Sequence, residues 1–384
     1  MTNMKIDGKT SHNSPSLRFP EFTGGWKNTT LEECVDFLDG QRKPIKSDDR
    51  KGEKRLYPYY GASGIIDYID EYIFDGDYIL LSEDGANIID RNYRVAFIAN
   101  GKIWVNNHAH VLQPHKEMNI NFLSEALERI NYAIYNTGTT MPKLNQEICR
   151  KINLNVPSLS EQNKIGNLLY LLNERIATQN RLIEDLKKLS CAIVEKMFKQ
   201  SKTNGRLGDF IEQVSVRNKN GLYSNVLSVS NKQGFVKQSE QFEDRTVASE
   251  DTSNYKIVKR NNFAYNPARI NVGSIARLTK FDVGIVSPMY VCFRTKDGII
   301  PEYMEAFFTS QQFFYEMMKR LEGSVRLCLS YEGLCNIPVY IPNMNKQIVM
   351  GQNISLILSK IGLEIEYLGR LHQQKQYLLR KMFI

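Results

Sequence analysis

The sequence predicts an α+β protein in which a long antiparallel two-helix coiled coil separates two pseudo-repeated β-rich domains. Residues 138–198 and 323–383 are two copies of one segment, aligned without a gap at an offset of 185. A repeat of this size indicates that one structural plan is used twice. Each copy follows β-branched and aromatic runs between turn residues, which is typical of strands. Within each copy, apolar residues alternate between spacings of four and three, which indicates a coiled-coil seam.

The repeat divides the chain into four segments. Residues 1–150 are predicted to form the first β-rich domain, behind a polar N-terminal tail at 1–14, and residues 151–203 the first long helix. Residues 204–338 are predicted to form the second β-rich domain, and residues 339–384 the second long helix.

The connectivity of the repeat fixes how the helices pair. The first helix ends where the second β-rich domain begins, and the second starts where that domain ends, so two helices that pair must run antiparallel. About 33 paired residues at ~1.5 Å each give a rod of roughly 50 Å, which would hold the two domains at a fixed distance.

The length, composition and charge of the chain indicate what kind of protein it is and what kind of partner it binds. A length of 384 residues fits two or three domains, and 42% hydrophobic with 24% charged residues is typical of a water-soluble chain. The formal charge of +8 favours a polyanionic partner, most simply nucleic acid.

The six cysteines form no CxxC pair, so we expect reduced thiols. Because no run of ~18 apolar residues and no signal peptide is evident, we expect a cytoplasmic protein without a membrane partner.

Catalytic motifs are incomplete. Residues 266–269, Asn-Pro-Ala-Arg, resemble the [DN]PP[YF] motif of DNA amino-methyltransferases but lack its second proline and its aromatic residue. The acidic residues of Phe74-Asp75-Gly76-Asp77, with Glu83 and Asp84, suggest a Mg²⁺-dependent nuclease, but the expected lysine is missing. We interpret Phe74-Asp75-Gly76-Asp77 as a hairpin turn instead. We therefore expect no catalytic residue.

Two histidines, His108 and His110, would lie on one face of a strand and supply half of a zinc site. No further His or Cys lies nearby, and the corresponding strand of the second half reads Pro288-Met289-Tyr290. We therefore expect packed or hydrogen-bonded histidines and no bound metal.

The loops that follow one aligned strand in each half differ in chemistry. Their polar residues are Glu83, Asp84 and Asn87 in the first half, and Asn266, Arg269 and Asn271 in the second. Carboxylates accept from cytosine N4, asparagine pairs with adenine, and arginine pairs with guanine. The loops are therefore candidates for reading different bases, although ordinary divergence of surface loops explains the same difference.

Other candidate contacts lie in basic, polar and aromatic loops. Basic loops suit phosphates, and their candidates are Arg42, Lys43, Lys46, Arg217 and Lys219. Polar or aromatic loops add the candidates Tyr60, Ser63, Asn231 and Lys232. Lys143 and Arg326 stand beside repeated turns, at the joint between domain and helix. A solvated charge or an ordinary turn is the alternative at each position.

The chain begins with a motif that resembles a known family. Pro15-x-Leu17-Arg18-Phe19-Pro20-Glu21-Phe22-x-Gly24-x-Trp26 is similar to PxLRFPEFxGxW, the opening of the specificity subunits of type I restriction–modification enzymes. Also similar are Tyr59-Tyr60-Gly61-Ala62-x-Gly64-Ile65, Asp70-Glu71-Tyr72-Ile73-Phe74-Asp75-Gly76, and the helix starts Pro157-x-x-x-x-Gln162-x-x-Ile165 and Pro342-x-x-x-x-Gln347. The resemblance covers nearly the whole chain.

The resemblance implies a non-catalytic subunit without a cofactor of its own. Two target-recognition domains would each read half of a split double-stranded DNA site, with the helices as spacer. The helices would dock two modification subunits, which bind S-adenosylmethionine and methylate adenine, and two restriction subunits would add translocation and cleavage that need ATP and Mg. The second copy has Asn345-Lys346 where the first has Ser160-Glu161, which argues against identical partner contacts.

Two alternatives stay open. The chain would be the DNA-recognition part of a fused restriction–methyltransferase if it transferred methyl groups to DNA by itself. It would be a coiled-coil scaffold that binds only protein if exchanging residues 204–338 left DNA target choice unchanged.

Overall fold

The computed structural model describes residues 13–50, 54–199, 202–231, 233–241, 251–324 and 326–384. The chain forms two compact units. Unit 1 consists of Met1–Asn180 and Tyr367–Ile384, and unit 2 consists of Arg181–Glu366.

Unit 1 is built mainly on one mixed sheet. Its strands are β1 (Lys27–Thr30), β2 (Val35–Phe37), β3 (Tyr57–Gly61), β4 (Gly64–Ile69), β5 (Phe74–Ser82), β6 (Ala96–Val105), β7 (Ala109–Pro114) and β8 (Asn153–Val156). Six of them form a sheet in the order β2-β7-β5-β6-β3-β4, and β1 pairs with β8. Only β3 and β6 pair in parallel among these strands.

The helices of unit 1 lie between these strands and after them. They are α1 (Asn87–Asp90), α2 (Ile120–Glu128), α3 (Gln146–Arg150) and the first part of α4 (Leu159–Lys199). Short 3₁₀ helices occur at Leu31–Glu33, Asp39–Gln41, Ser47–Asp49 and Tyr132–Tyr135.

The predicted hairpin turn at Phe74-Asp75-Gly76-Asp77 is wrong, because these residues lie within β5. Gly76 lies opposite Gly101, and Asp77 lies opposite Asn100, in the antiparallel ladder with β6. Pairing with a ten-residue neighbouring strand outweighs the local turn preference of Asp-Gly.

Unit 2 contains two smaller sheets. Its strands are β9 (Gly205–Arg206), β10 (Ile211–Gln213), β11 (Val226–Ser230), β12 (Gly234–Lys237), β13 (Lys256–Lys259), β14 (Phe263–Tyr265), β15 (Ile275–Arg277), β16 (Val283–Val286), β17 (Val291–Thr295) and β18 (Pro338–Val339). The four-stranded sheets have the orders β10-β17-β14-β15 and β12-β11-β16-β13, and β9 pairs with β18. As in unit 1, one pair is parallel, here β11 and β16.

The helices of unit 2 include the predicted helix that begins at Pro301. They are α5 (Leu207–Phe210), α6 (Gln238–Gln241), α7 (Pro301–Phe308), α8 (Gln311–Met318), α9 (Tyr331–Cys335) and the first part of α10 (Met344–Met382), with a 3₁₀ helix at Ile270–Val272. Proline suits the first position of α7 because the amide it lacks has no partner within the helix there.

The two long helices run in opposite directions within unit 1. Ile165, near the start of α4, shares a core with Phe383, which follows the end of α10. Further along α4, Arg175 lies over the ring of Tyr367, which is earlier in α10. Residue numbers therefore rise along one helix as they fall along the other, as predicted. In unit 2 the last turns of α4 share a core with the early turns of α10.

Helix α4 has 41 residues and α10 has 39. At ~1.5 Å per residue each helix is about 60 Å long, which exceeds the predicted rod of roughly 50 Å. By length and composition alone, α10 is apolar enough to cross a membrane. A core helix of a water-soluble protein passes the same test, so this property is weak evidence of a membrane segment.

The repeated glutamine makes the same three hydrogen bonds at the start of each long helix. Gln162 Oε1 accepts from the Asn119 amide at 2.9 Å, and its Nε2 donates to the Pro157 and Glu117 carbonyls at 3.0 and 3.2 Å. In unit 2, Gln347 accepts from Ile300 at 2.9 Å and donates to Pro342 and Gly298 at 3.0 and 3.3 Å. Both side chains are buried. Each glutamine therefore joins a long helix to the domain helix beside it, which is α2 in unit 1 and α7 in unit 2.

The repeated glycine one turn later permits this close approach. A β-carbon at Gly166 would overlap the side chain of Asn119, just before α2. A β-carbon at Gly351 would come within 2.8 Å of Glu302, in the first turn of α7. The same joint is therefore built in both units from the same two residue types.

The opening motif packs against the start of α4. The guanidinium of Arg18 donates to both carboxylate oxygens of Glu161 at 2.7 Å, and the indole of Trp26 lies 3.4 Å from the same carboxylate. Glu161 is buried, whereas Lys346, its counterpart in the second copy, is exposed. The first copy therefore has a glutamate at this position, where Arg18 is its partner. The second copy has an exposed lysine there.

Candidate nucleic-acid interface

Four of the predicted contact residues form one ion-pair cluster in unit 1. Arg42 Nη1 lies 2.7 Å from one carboxylate oxygen of Glu83, and Lys143 Nζ lies 3.3 Å from the other. Asp84, the next residue in the loop after β5, lies 2.8 Å from His108 Nδ1. Asp84 and Lys143 also form an isolated β-bridge. The structure thus brings Arg42, Glu83, Asp84 and Lys143 together.

This pairing limits what the two carboxylates offer to DNA. Both oxygens of Glu83 already face cations, and the carboxylate of Asp84 faces His108. Lys143 and His108 are the exposed members of the cluster. Contact of Glu83 or Asp84 with cytosine stays a prediction, and it requires these carboxylates to exchange partners.

A buried histidine lies behind this cluster. His110 Nδ1 is 2.6 Å from Asp39 Oδ2, and Nε2 is 2.8 Å from the Leu144 carbonyl oxygen. Both neighbours only accept, so both ring nitrogens donate and the ring is an imidazolium. Burial opposes this charge, but the hydrogen bonds and charges of Asp39 and Cys149 together outweigh it and raise the pKa of His110 to about 10. The prediction of hydrogen-bonded histidines is confirmed.

Asp39, Glu83 and His110 also have the donor types of a metal site, with ligand atoms within 4.8 Å of one another. The guanidinium of Arg42 lies among them, 2.7 Å from Glu83 and 3.4 Å from Asp39. An imidazolium has no lone pair to give to a metal. We therefore assign these residues to an ion-pair network.

Replacing His110 with glutamine is expected to remove a pH-dependent part of the stability. Because the pKa of His110 is raised above its usual value, its stabilisation is complete below about pH 6.5 and is lost as the pH rises towards 10. Between these limits the stability difference between wild type and His110→Gln should shrink by about 1.4 kcal/mol per pH unit. Urea unfolding at several pH values measures this difference. A difference that does not change with pH would contradict the imidazolium assignment.

The other candidates of unit 1 lie in turns and at a sheet edge. Lys43 and Lys46 are exposed, as the phosphate-binding prediction requires. Ser63 is exposed in the tight turn between β3 and β4. Tyr60 is half-buried and stacks on Phe97 with ring centroids 6.1 Å apart. The structure leaves these four residues outside the cluster around Glu83.

Asn87 holds its own loop together. Its Oδ1 accepts from the Tyr93 amide at 2.8 Å, and its Nδ2 donates to the Tyr93 carbonyl at 3.0 Å. A contact between Asn87 and adenine would compete with both bonds and stays a prediction.

Three predicted residues of unit 2 line one cleft of about 590 Å³: Asn266, Arg269 and Arg326. The cleft lies beside β11, the loop after β14 and the segment between β16 and β17. Ser228 and Met289 belong to its other walls.

The remaining candidates of unit 2 do not line this cleft; they are Arg217, Lys219, Asn231 and Asn271. Arg217 donates to Asn254 Oδ1 at 2.8 Å. Lys219 and Asn231 are exposed. Lys232 lies outside the described residues.

Sequence reasoning missed the second segment that borders each site. In unit 1 this is His108 to His110 at the start of β7, and in unit 2 it is Pro288 to Tyr290 just before β17. The internal alignment had placed these segments opposite each other. The sequence suggests a metal site only for His108 and His110, and it gives no signal that either segment borders the loop after the aligned strand.

Part of the chain is similar to a known protein family. Residues 23–188 match the family described as the type I restriction modification DNA specificity domain. The matched residues include the ion-pair cluster and the joint at Gln162.

Several curated relatives are similar to part of the chain. A putative type I restriction enzyme specificity subunit of Haemophilus influenzae is 35% identical over 144 residues, which are 38% of this chain and 36% of that protein. A putative type I specificity subunit of Mycoplasma pneumoniae is 32% identical over 146 residues, or 36% of this chain and 38% of that protein. The match thus spans little more than a third of the length of these relatives.

A solved structure shares the fold over a much longer range. The S subunit of a type I restriction–modification system from M. genitalium has a TM-score of 0.68 and 17% sequence identity, covering 97% of this chain and 99% of that one. The two-unit fold with long helices is therefore that of a known S subunit, which confirms the predicted fold class.

Proposed function

We propose that this chain is the non-catalytic DNA-sequence-specificity subunit of a type I restriction–modification complex, in which each unit reads one half of a bipartite double-stranded DNA target. The observation that carries the proposal is the match of residues 23–188 to a DNA specificity domain. Unit 2 supports it because the chain repeats the helix joint of unit 1 there. The loop that carries Glu83 in unit 1 corresponds to the loop that carries Arg269 in unit 2, so the two units offer different side chains to DNA.

The charge of the chain supports a DNA partner. A formal charge of +8 attracts phosphates, which supply most of the affinity and make it depend on salt. Exposed cations among the candidate residues are Lys43, Lys46, Lys143, Arg217, Lys219, Arg269 and Arg326. Phosphate contacts would position each unit, and the loops would supply sequence preference.

The long helices are the proposed docking surface for partner subunits. Val349, Leu356 and Leu363 are exposed on α10 and recur every seven residues, which suits packing against a further helix. The proposed partners are two modification subunits, which bind S-adenosylmethionine and methylate adenine, and restriction subunits that use ATP and Mg²⁺. This chain would bind none of these cofactors, and the complex would act in the cytoplasm.

Mapping methylated adenines in host DNA tests this function. With the chain present we expect a two-part motif, and without it that motif should disappear. Exchanging residues 204–338 for the equivalent segment of another specificity subunit should alter one half of the motif and leave the other intact. Methyl transfer by the purified chain alone would favour a fused enzyme, and an unaltered motif after the exchange would favour a protein-only scaffold.

A further inference from the structure

Two arginine side chains in the cleft of unit 2 have no partner among the described residues. The guanidinium groups of Arg269 and Arg326 make no hydrogen bond or ion pair with these residues, and both side chains are exposed. Other arginines of the unit differ: Arg260 pairs with Asp282 at 2.8 Å, and Arg277 pairs with glutamates at 2.5 and 2.9 Å. Two guanidinium groups without a partner among the described residues therefore border this cleft.

The polar groups of the cleft form an uneven set of donors and acceptors. No carboxylate is among its described lining residues. Asn266 Oδ1 already accepts from the Ala268 amide at 3.1 Å, while its Nδ2 faces only the sulfur of Met289 at 3.9 Å. Gln238 Oε1 is a buried acceptor without a partner among the described residues. The cleft therefore offers the unpaired donors of two arginines and one buried acceptor without a described partner, beside hydroxyl groups that both donate and accept.

This set matches one base pair better than the others. In the major groove a G·C pair presents two acceptors, guanine O6 and N7, next to one donor, cytosine N4. An arginine fork binds both guanine acceptors, and a glutamine oxygen accepts from an exocyclic amine. An A·T pair instead places the adenine N6 donor beside its single N7 acceptor, which suits a guanidinium poorly.

We propose that unit 2 reads a guanine-containing half-site, with Arg269 and Arg326 as specificity-determining residues and Gln238 accepting from the paired cytosine. The inference rests on the proposed function and adds the kind of base pair to it. Unit 1 has no equivalent feature at its aligned loop, where Glu83 and Asp84 are held by cations and a histidine. The two half-sites should therefore differ in composition.

The variants Arg269→Gln and Arg326→Gln test the assignment in the intact complex with its modification subunits. Methylated adenines are mapped for each variant, and binding is measured on duplexes in which each guanine of the unit 2 half-site is replaced in turn. The half-site of unit 2 is the one that changes when residues 204–338 are exchanged. At one guanine, at least one variant should discriminate against the replacement base about 5- to 150-fold less than the wild type does. The other half-site should be unchanged.

Arg260→Gln is the matched control, because Arg260 is an exposed arginine of the same unit outside the cleft. It should keep the motif, and equal thermal unfolding of all variants would show that the fold is intact. A uniform loss of affinity without a change in motif would mean that the arginines bind phosphate, which overturns the inference. A unit 2 half-site without guanine would overturn it as well. A wild-type complex without any bipartite motif would contradict the proposed function itself, and with it this inference.

Discussion

Replacing Gln162 with leucine is expected to lower the free energy of unfolding of unit 1 by about 3 kcal/mol, because it leaves buried polar groups without partners. Leucine fills a similar volume but cannot accept from the Asn119 amide or donate to the Pro157 carbonyl. Gln347→Leu should have the same effect in unit 2, since its three hydrogen bonds have the same geometry.

Hydrogen exchange with peptide resolution measures both effects in one molecule. Gln162→Leu should expose the amides of α2 and leave those of α7 protected, and Gln347→Leu should do the reverse. Gln373→Leu is the matched control, because Gln373 is an exposed glutamine of α10. Loss of protection in both units from either variant would contradict independent joints, and no loss would mean that the glutamines contribute little to stability.

The overall plan of the molecule was predictable from the sequence because it depends on periodicity and connectivity. Apolar residues at spacings of four and three can form only one face of a helix, and a gapless repeat forces the second helix to follow the plan of the first. The role of Gln162 was not predictable in detail. Its repetition marked it as important, but the Asn119 amide it binds lies 43 residues earlier in the chain.

The candidate sites were only partly predictable, because the partner of a charged side chain can lie far away in the sequence. Charge alone made Arg42 a phosphate contact and Glu83 a base contact, yet folding places them 2.7 Å apart as an ion pair. Asp75 and Gly76 have the local composition of a turn, and only their pairing with β6 shows that they form a strand. By contrast, the side chains of Arg269 and Arg326 form no ion pair, because no carboxylate lies among the described residues of their cleft.

Inserting seven residues into α4 between Asn180 and Arg181 is expected to widen the gap between the two half-sites by about three base pairs. The segment before this point packs in unit 1, and the segment after it packs in unit 2. Seven residues add about 10 Å of helix and keep the apolar seam in phase. At ~3.4 Å per base pair, this length corresponds to the expected change in the gap.

The variant with the insertion is tested by mapping methylated adenines in cells that express it with its modification subunits. Both half-sites should keep their sequences, because the insertion leaves the cluster around Glu83 and the cleft around Arg269 untouched. Seven substitutions at exposed positions of α4, without added length, should leave the gap unchanged. A second variant with a matched insertion between Glu366 and Tyr367 extends the other helix equally, and it should give the same gap with higher stability. If the gap stays fixed in both insertion variants, the helices do not set the spacing, and the separation of the half-sites must come from the partner subunits or the DNA.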